Sequence, residues 1–138
     1  MNGPAEDIAR LIAAQGLATF AGTTGWAVNV DIVLEEPDSM ITVIDVGGVG
    51  PIDTLTFDEI DNWTVQIRVR ARGAQDARDK IDAIIEAINL KKDYEVVDGA
   101  TTMGYIVMYR STLPVFLGAD ERNRTIFAFN MSGLRAQA

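Results

Sequence analysis

Carboxylates are the side chains in this sequence that could perform chemistry, and many of them gather between residues 35 and 61. One group surrounds Pro37, and Asp45 ends a short apolar stretch just before a glycine pair. A second acidic group lies in the following segment and consists of Asp53, Asp58, Glu59 and Asp61. A carboxylate at the end of a strand followed by glycines could form a catalytic corner, a phosphate loop or a site for a hard metal ion.

The spacing of these residues favours structural roles instead. The stretch DVGGVG (residues 45–50) matches neither G-x-G-x-x-G nor the Walker sequence, and no Lys-Ser or Lys-Thr pair follows it. The acidic residues do not have the spacing of a calcium-binding loop. We therefore interpret residues 45–50 as a turn and the later acids as a solvated arm, and we expect neither a metal ion nor a cofactor.

The composition removes most kinds of enzyme. The 138 residues include no cysteine and no histidine, which excludes disulfides, thiolate nucleophiles, Ser-His-Asp triads and the usual zinc sites. The net charge of −8 argues against a surface that grips nucleic acid by its phosphates. No apolar run approaches the roughly 20 residues of a membrane span, and the first residues lack the basic start of a signal peptide. The sequence predicts a protein that is not an enzyme and stays in the cytosol where it is made.

The periodicity of apolar residues predicts two helices and several strands. One helix begins near Pro4 and stops at Gly16, and the second covers residues 74–88. Strands are predicted over residues 26–34, 40–46, 63–72, 104–111 and 125–133, and residues 112–124 are interpreted as a connection. The predicted fold class is α+β, with two helices packed on a mostly antiparallel mixed sheet. Residues 1–138 are interpreted as one domain with a long loop or hairpin arm at 47–61.

Three arginines share one face of the predicted strand 63–72. Arg68, Arg70 and Arg72 alternate with apolar residues that would face the core. A row of like charges usually pairs with acids on a neighbouring strand or subunit. A nucleic-acid face is the less favoured interpretation, because the chain as a whole is acidic.

Three motifs together resemble one known family. Residues 36–48 (EPDSMITVIDVGG) are similar to the "EPD…I.l.DtGG" core of bacteriophage minor capsid or tail terminator proteins. Residues 65–70 (VQIRVR) resemble the family's "fQVRVR" strand, and residues 117–130 (LGADERNRTIFAFN) resemble its closing "lGrDe.gr..f..nf" segment. The motifs run in family order over most of the chain. Ala119 departs from the pattern, since the family often has a basic residue there.

The resemblance implies a structural role in a virion. Such proteins cap the tail tube of a long, non-contractile-tailed phage as a homo-hexameric ring, end tube polymerisation and form the head–tail joining surface. The implied partners are the major tail tube protein and a head–tail connector or neck protein. DNA would pass through the ring without specific binding, and the acidic balance fits a channel that repels phosphate. The implied location is the tail or neck of the virion, assembled in the bacterial host cytoplasm without a membrane.

Roles for individual residues follow from combining the resemblance with the residue pattern. We expect Arg68, Arg70 and Arg72 to meet acids of the next subunit in the ring. The arm at 47–61 should be mobile in the free protein and ordered in the ring, with Leu55 and Phe57 anchoring it on the next subunit. The alternative is a solvated hairpin tip that contacts nothing. Four acids of the arm are expected near the channel, namely Asp53, Asp58, Glu59 and Asp61.

Other functions remain open from the residues alone. The chain could be another neck component, such as a head-completion or connector protein, or a tail tube subunit. It could also be a small metal-dependent enzyme that uses the acidic arm, or a cellular binding module of no viral origin.

Overall fold

The structure is a computed structural model of the chain, and it describes residues 3–47, 52–53 and 59–137, with the backbone alone at residues 52, 53, 59, 98 and 137. Two helices are present, α1 (Pro4–Ala14) and α2 (Ala74–Ile88). The strands in chain order are β1 (Thr19–Phe20), β2 (Ala27–Val30), β3 (Met40–Gly47), β4 (Ile52–Asp53), β5 (Glu59–Ala71), β6 (Lys91–Asp98), β7 (Thr101–Arg110), β8 (Val115–Ala119) and β9 (Thr125–Gln137).

All nine of these strands form one curled sheet. Its main path runs β1-β2-β3-β5-β9-β7-β6, while β4 pairs with β5 and β8 pairs with β9. The β1–β2 and β2–β3 pairs are parallel, and the remaining pairs are antiparallel. Register shifts interrupt β3, β7 and β8, and such bulges increase strand twist. The seven strands of the main path curl into a half-barrel.

The predicted fold class is wrong. Of the described residues, 50% lie in strands and 21% in helices, so this is a β-rich half-barrel with two helices and not an α+β layer of two helices on a sheet. Four strands lie outside the predicted ranges, and two of them, β1 and β4, have only two residues each. The two longer ones, β6 and β8, escaped prediction for physical reasons. Charged residues occupy much of β6, which hides its alternation, and β8 follows Pro114 inside a stretch interpreted as a connection. The predicted end of β9 at residue 133 is also too early.

The core lies between the concave face of the sheet and the two helices. The predicted alternation of β5 is confirmed, since Trp63, Val65, Ile67 and Val69 are buried. The apolar period of α2 is confirmed for Ala77, Ile81, Ile84 and Ile88, which are buried, whereas Ala74 at the start of the helix is exposed. At Gly133 on β9, a Cβ atom would overlap the Val107 carbonyl oxygen and approach the Trp63 ring, so only glycine lets these strands pack so closely.

Helix α1 is held by two carboxylates. Asp45 at the end of β3 accepts a hydrogen bond from the Ala5 backbone N–H at 3.1 Å, which satisfies a free donor in the first turn of the helix. Asp7 is buried and accepts a hydrogen bond from the Tyr105 hydroxyl on β7. An Arg135 nitrogen lies 3.9 Å from the same carboxylate. The carboxylate at the end of strand β3 thus fixes a helix, and the interpretation of this corner as structural agrees with its contacts.

The burial of Asp7 makes stability depend on pH. Burial raises the pKa of Asp7 above its ordinary value of 3.8, although the Tyr105 hydrogen bond and Arg135 oppose the rise. The folded state therefore holds the proton more tightly than the unfolded state does. The stabilising contribution is complete below pH 3.8 and is lost as the pH rises through the folded-state pKa.

We expect Asp7→Asn to flatten this pH dependence. In the wild type, each pH unit inside the window removes up to about 1.4 kcal/mol from the free energy of unfolding, and the neutral amide cannot contribute to that loss. Urea denaturation at pH values from 4 to 7 measures the effect. Glu86→Gln, on an exposed carboxylate of helix α2 that does not act on Asp7, is the matched control and should run parallel to the wild type. An Asp7→Asn curve that also runs parallel to the wild type would contradict the assignment.

Candidate assembly surface

The connection between β2 and β3 lies against the convex face of the sheet. Because side chains alternate along a strand, Arg68 and Arg70 point away from the core-facing residues of β5. Val33 from the connection lines a small crevice with both arginines and with Ile126 of β9. We call residues 31–39 the crossing loop, since it crosses from β2 towards β9 over this face.

Arg70 on β5 holds the crossing loop against the sheet through hydrogen bonds. Its guanidinium is buried and donates to the backbone carbonyl oxygens of Pro37 at 2.7 Å and of Glu35 and Asp38 at 3.3 Å each. Burial lowers the pKa of Arg70, as does the nearby charge of Arg124, while the acids around it oppose the effect. A charged donor that reaches three carbonyl groups fixes the path of the loop backbone.

Arg124, before β9, also binds the crossing loop. It is only 2% exposed, and its Nε donates to Asp120 at 2.7 Å across the turn between β8 and β9. Its Nη1 lies 2.5 Å from the Glu35 carbonyl oxygen and 3.3 Å from an Asp38 carboxylate oxygen. Burial would raise the pKa of Asp120, but hydrogen bonds from the backbone and side chain of Arg124 and from the Arg122 backbone lower it overall. Arg124 thereby joins the crossing loop to the β8–β9 turn.

Two further arginines pair with the loop at the surface. Arg72 donates to Asp38 at 2.5 Å, and this hydrogen bond is the main cause of the lowered pKa of Asp38. Arg122 donates to Glu36 at 2.5 Å. Both arginines are exposed, and exposed pairs of this kind contribute little stability because water screens them. The buried members, Arg70 and Arg124, therefore carry most of the attachment.

Two apolar segments of the chain are exposed to solvent. One is Ile32–Leu34 on the crossing loop, and the other comprises Leu113 and Val115–Leu117 on and before β8. Val33 lines the crevice with Ile126 on the face of the sheet away from the helices, whereas Leu113 and Phe116 line a groove with Ile81 of helix α2. We call these two segments together the apolar surface. Large exposed apolar groups are typical of surfaces that bind another macromolecule.

The structure splits the predicted arginine row. It brings Arg70 and Arg72 to the crossing loop of their own chain, whereas the Arg68 Nε donates to Gln66 at 2.7 Å. The pairing of Arg72 with Asp38 is a contact with an acid, but within one chain. The expected contact of this row with the next subunit stays a prediction.

The predicted arm is described only in part. Leu55, Phe57 and Asp58 lie outside the described residues. The backbones of Asp53 and Glu59 pair with each other in the β4–β5 ladder. Asp61 is the one acid of the expected channel group whose side chain is described, and its carboxylate lies 3.6 Å from Arg135. The channel and anchoring roles of these residues stay predictions.

Sequence reasoning gave no role to Arg122, Arg124 or the apolar residues of β8. The signal for the first two was present in the D-E-x-x-R part of the closing motif, whose spacing lets Asp120 and Arg124 meet across a turn. The signal for β8 was the apolar run LPVFLG, residues 113–118. Neither pattern reveals its partner, since the crossing loop is more than eighty residues away in sequence.

Within the part of the chain that the structure describes, acidic residues form no group of three or more that could hold a metal ion. The two described helices are both too short or too polar to cross a membrane.

We expect Arg70→Met to loosen the crossing loop. The substitution keeps most of the buried stem but removes the donors to three carbonyl groups, which should lower the free energy of unfolding by about 1–3 kcal/mol. Hydrogen exchange should quicken at amides of residues 31–39. Arg68→Met is the matched control from the same strand face and should change stability by less than about 0.5 kcal/mol. Equal effects of the two substitutions would show that Arg70 does not anchor the loop.

Comparison with known families gives one match. A family model described as bacteriophage tail terminator protein matches residues 11–132, which is most of the chain and includes the crossing loop, the arginine row and β8. A search of curated proteins finds no match. The family suggested by the three sequence motifs is therefore confirmed.

Proposed function

The chain belongs to the bacteriophage tail terminator family, and from that premise we propose that it caps the tail tube as a ring of six subunits. In this proposal the ring ends tube polymerisation and provides the surface that joins the tail to the head. Membership by itself makes the protein a structural component of the virion tail. Ring formation, capping and joining go beyond membership and are the content of the proposal.

The apolar surface is the observation that carries the proposal. A protein that works alone has no use for large apolar side chains that a buried charged network keeps in water, whereas an assembly protein needs a preformed docking face. Arg70 and Arg124 fix the crossing loop before any partner arrives, which lowers the entropy lost on docking.

The carboxylates of the described part support an architectural role over catalysis. Asp45 caps helix α1, Asp7 joins α1 to β7, and Asp38 and Asp120 hold arginines. The tail terminator family is likewise a family of structural proteins and not of enzymes. The acidic balance of the whole chain, −8, suits a ring through which DNA slides without binding.

Two parts of the ring proposal concern named residues. Arg68 is the member of the arginine row whose described partner is the uncharged Gln66, so it is the one we assign to an acid of the next subunit. The arm at 47–61 is assigned to a neighbouring subunit or to the channel, with its acids towards the DNA.

Loss of the protein should lengthen phage tails. We expect phage that lack a functional copy to produce tubes well beyond the normal length, because nothing stops tube subunits from adding. Electron microscopy of lysates measures the lengths. Supplying the wild-type protein should restore normal tails, and supplying a variant with Ile32→Ser and Leu34→Ser should restore them poorly.

The same experiment separates the alternative roles. Tails of normal length that fail to join heads would indicate a head-completion or connector protein. The absence of any tube would indicate a tube subunit. Either result would contradict a terminator role.

A further inference from the structure

Strand β8 has an open backbone edge. One side of Val115–Ala119 pairs with β9, and on the other side the described residues supply no strand. Strand β7 runs along the same flank of β9 just before β8, and its outer side is covered by β6. The β6–β7 pairing begins at Lys91 and Met108, so β6 does not pair along the edge of β8.

This edge lacks the charges that normally protect an edge strand. Folded monomers place charged residues, prolines or bulges on exposed edges to prevent association. Residues 115–119 (VFLGA) carry no charge, and Phe116 and Leu117 are 59% and 49% exposed. Pro114 precedes the strand, and a bulge at Leu117 interrupts the β9 ladder. These two features restrict the register of a partner strand without making the edge polar.

A groove lies beside this edge, between β8 and helix α2. Its volume is about 490 Å³, and its walls include Ile81, Leu113 and Phe127. The rings of Phe116 and Phe127 stand 5.5 Å apart, and the Arg78 guanidinium lies 5.3 Å from the centre of the Phe127 ring. A strand added to β8 would place alternate side chains into this groove, which is how sheet edges bind extended segments.

We propose that β8 of one copy accepts strand β6 of a second copy, and that this contact joins neighbouring subunits in the ring. The inference rests on the proposed ring. A closed ring of identical subunits needs two different patches on each subunit, one to give and one to receive. Of the other open edges among the described strands, β1 and β4 have two residues each and β6 has eight, so β6 is long enough to supply the donor.

Charge selects an antiparallel arrangement of the two strands. Strand β6 begins with Lys91 and Lys92 and becomes acidic further along, while β8 is preceded by Arg110 and followed by Glu121. Antiparallel pairing carries the lysines towards Glu121 and the acids towards the Arg110 end. Parallel pairing would instead bring Lys92 to Arg110, and like charges side by side are destabilising.

One register also covers exposed apolar groups. When Lys92 stands opposite Glu121, Val97 of β6 lies beside Phe116 of β8. These side chains are 68% and 59% exposed in the single chain, and each would remove the other from water. The same contact would turn two edge strands into interior strands, which satisfies their open backbone groups.

A charge placed on the β8 edge should prevent assembly. We expect Leu117→Lys to reduce the ring fraction by about tenfold or more at equal protein concentration, since a lysine would be buried against the incoming strand. Native mass spectrometry and analytical ultracentrifugation on tail tubes measure the fraction. The thermal unfolding midpoint should stay near that of the wild type. Val46→Lys, on an exposed apolar residue of β3 away from both edges, is the matched control and should assemble normally.

Cysteine pairing tests the identity of the partner strand. The chain has no cysteine of its own, so Val97→Cys and Phe116→Cys proteins can be mixed and oxidised during assembly on tail tubes. We expect a disulfide between the two variants in rings and none between Phe116→Cys and a Val46→Cys control. The size difference between two tagged proteins identifies the mixed product on a gel.

Each outcome decides a separate question. Rings with the Val97–Phe116 link support both the ring and the strand pairing. Rings without that link, or rings with links between two Phe116→Cys copies, overturn the pairing and leave the proposed function standing. The absence of both rings and links overturns both.

Discussion

Two buried guanidinium groups hold the convex side of this protein together. Arg70 and Arg124 lie close enough for the charge of Arg124 to lower the pKa of Arg70, so the two cations repel each other and need acceptors around them. They are tolerated because carbonyl oxygens of the crossing loop and the carboxylates of Asp38 and Asp120 surround them. A buried charge that loses its hydrogen-bond partners is strongly destabilising. Detaching the crossing loop would take acceptors away from both arginines, and this cost keeps the loop in place.

The consequence is a defined path over the sheet for a loop that has no regular structure of its own. The crossing loop has too few apolar contacts to fold against the sheet by hydrophobic burial, because Ile32, Val33 and Leu34 all face solvent. Because hydrogen bonds from Arg70 hold the loop on the sheet, the apolar side chains of the loop stay available to a partner. In the proposed assembly role, the shape and placement of the apolar surface would determine which partner binds.

The curled sheet adds a second constraint, because an open sheet has edge strands whose backbone groups are unpaired. A half-barrel does not close on itself, so it retains edges that a full barrel would remove. In this chain the edge strand β6 carries charged side chains, whereas β8 offers apolar ones. An open sheet with two different edges has the asymmetry that head-to-tail association of identical subunits requires.

Local pattern was sufficient for some of this architecture and insufficient for the rest. The alternation along β5 and the apolar stripe of α2 could be deduced from the residues, because each depends on neighbours within a few positions. The hydrogen bond of Asp45 to helix α1 could not, since 40 positions separate Asp45 from Ala5. The family could be deduced as well, since its motifs are written in order along the chain. The fold class could not be deduced, because charged side chains on β6 conceal a strand that pairing with β7 creates.

The arginine row shows most clearly what a sequence pattern cannot predict. By pattern, Arg68 and Arg70 are equivalent, with the same face, the same strand and the same alternation. Only the tertiary structure separates them, because a loop from between β2 and β3 covers Arg70 and leaves Arg68 beside Gln66. Sequence periodicity determines which way a side chain points. What lies in that direction depends on contacts between segments more than thirty residues apart, and no local pattern encodes them.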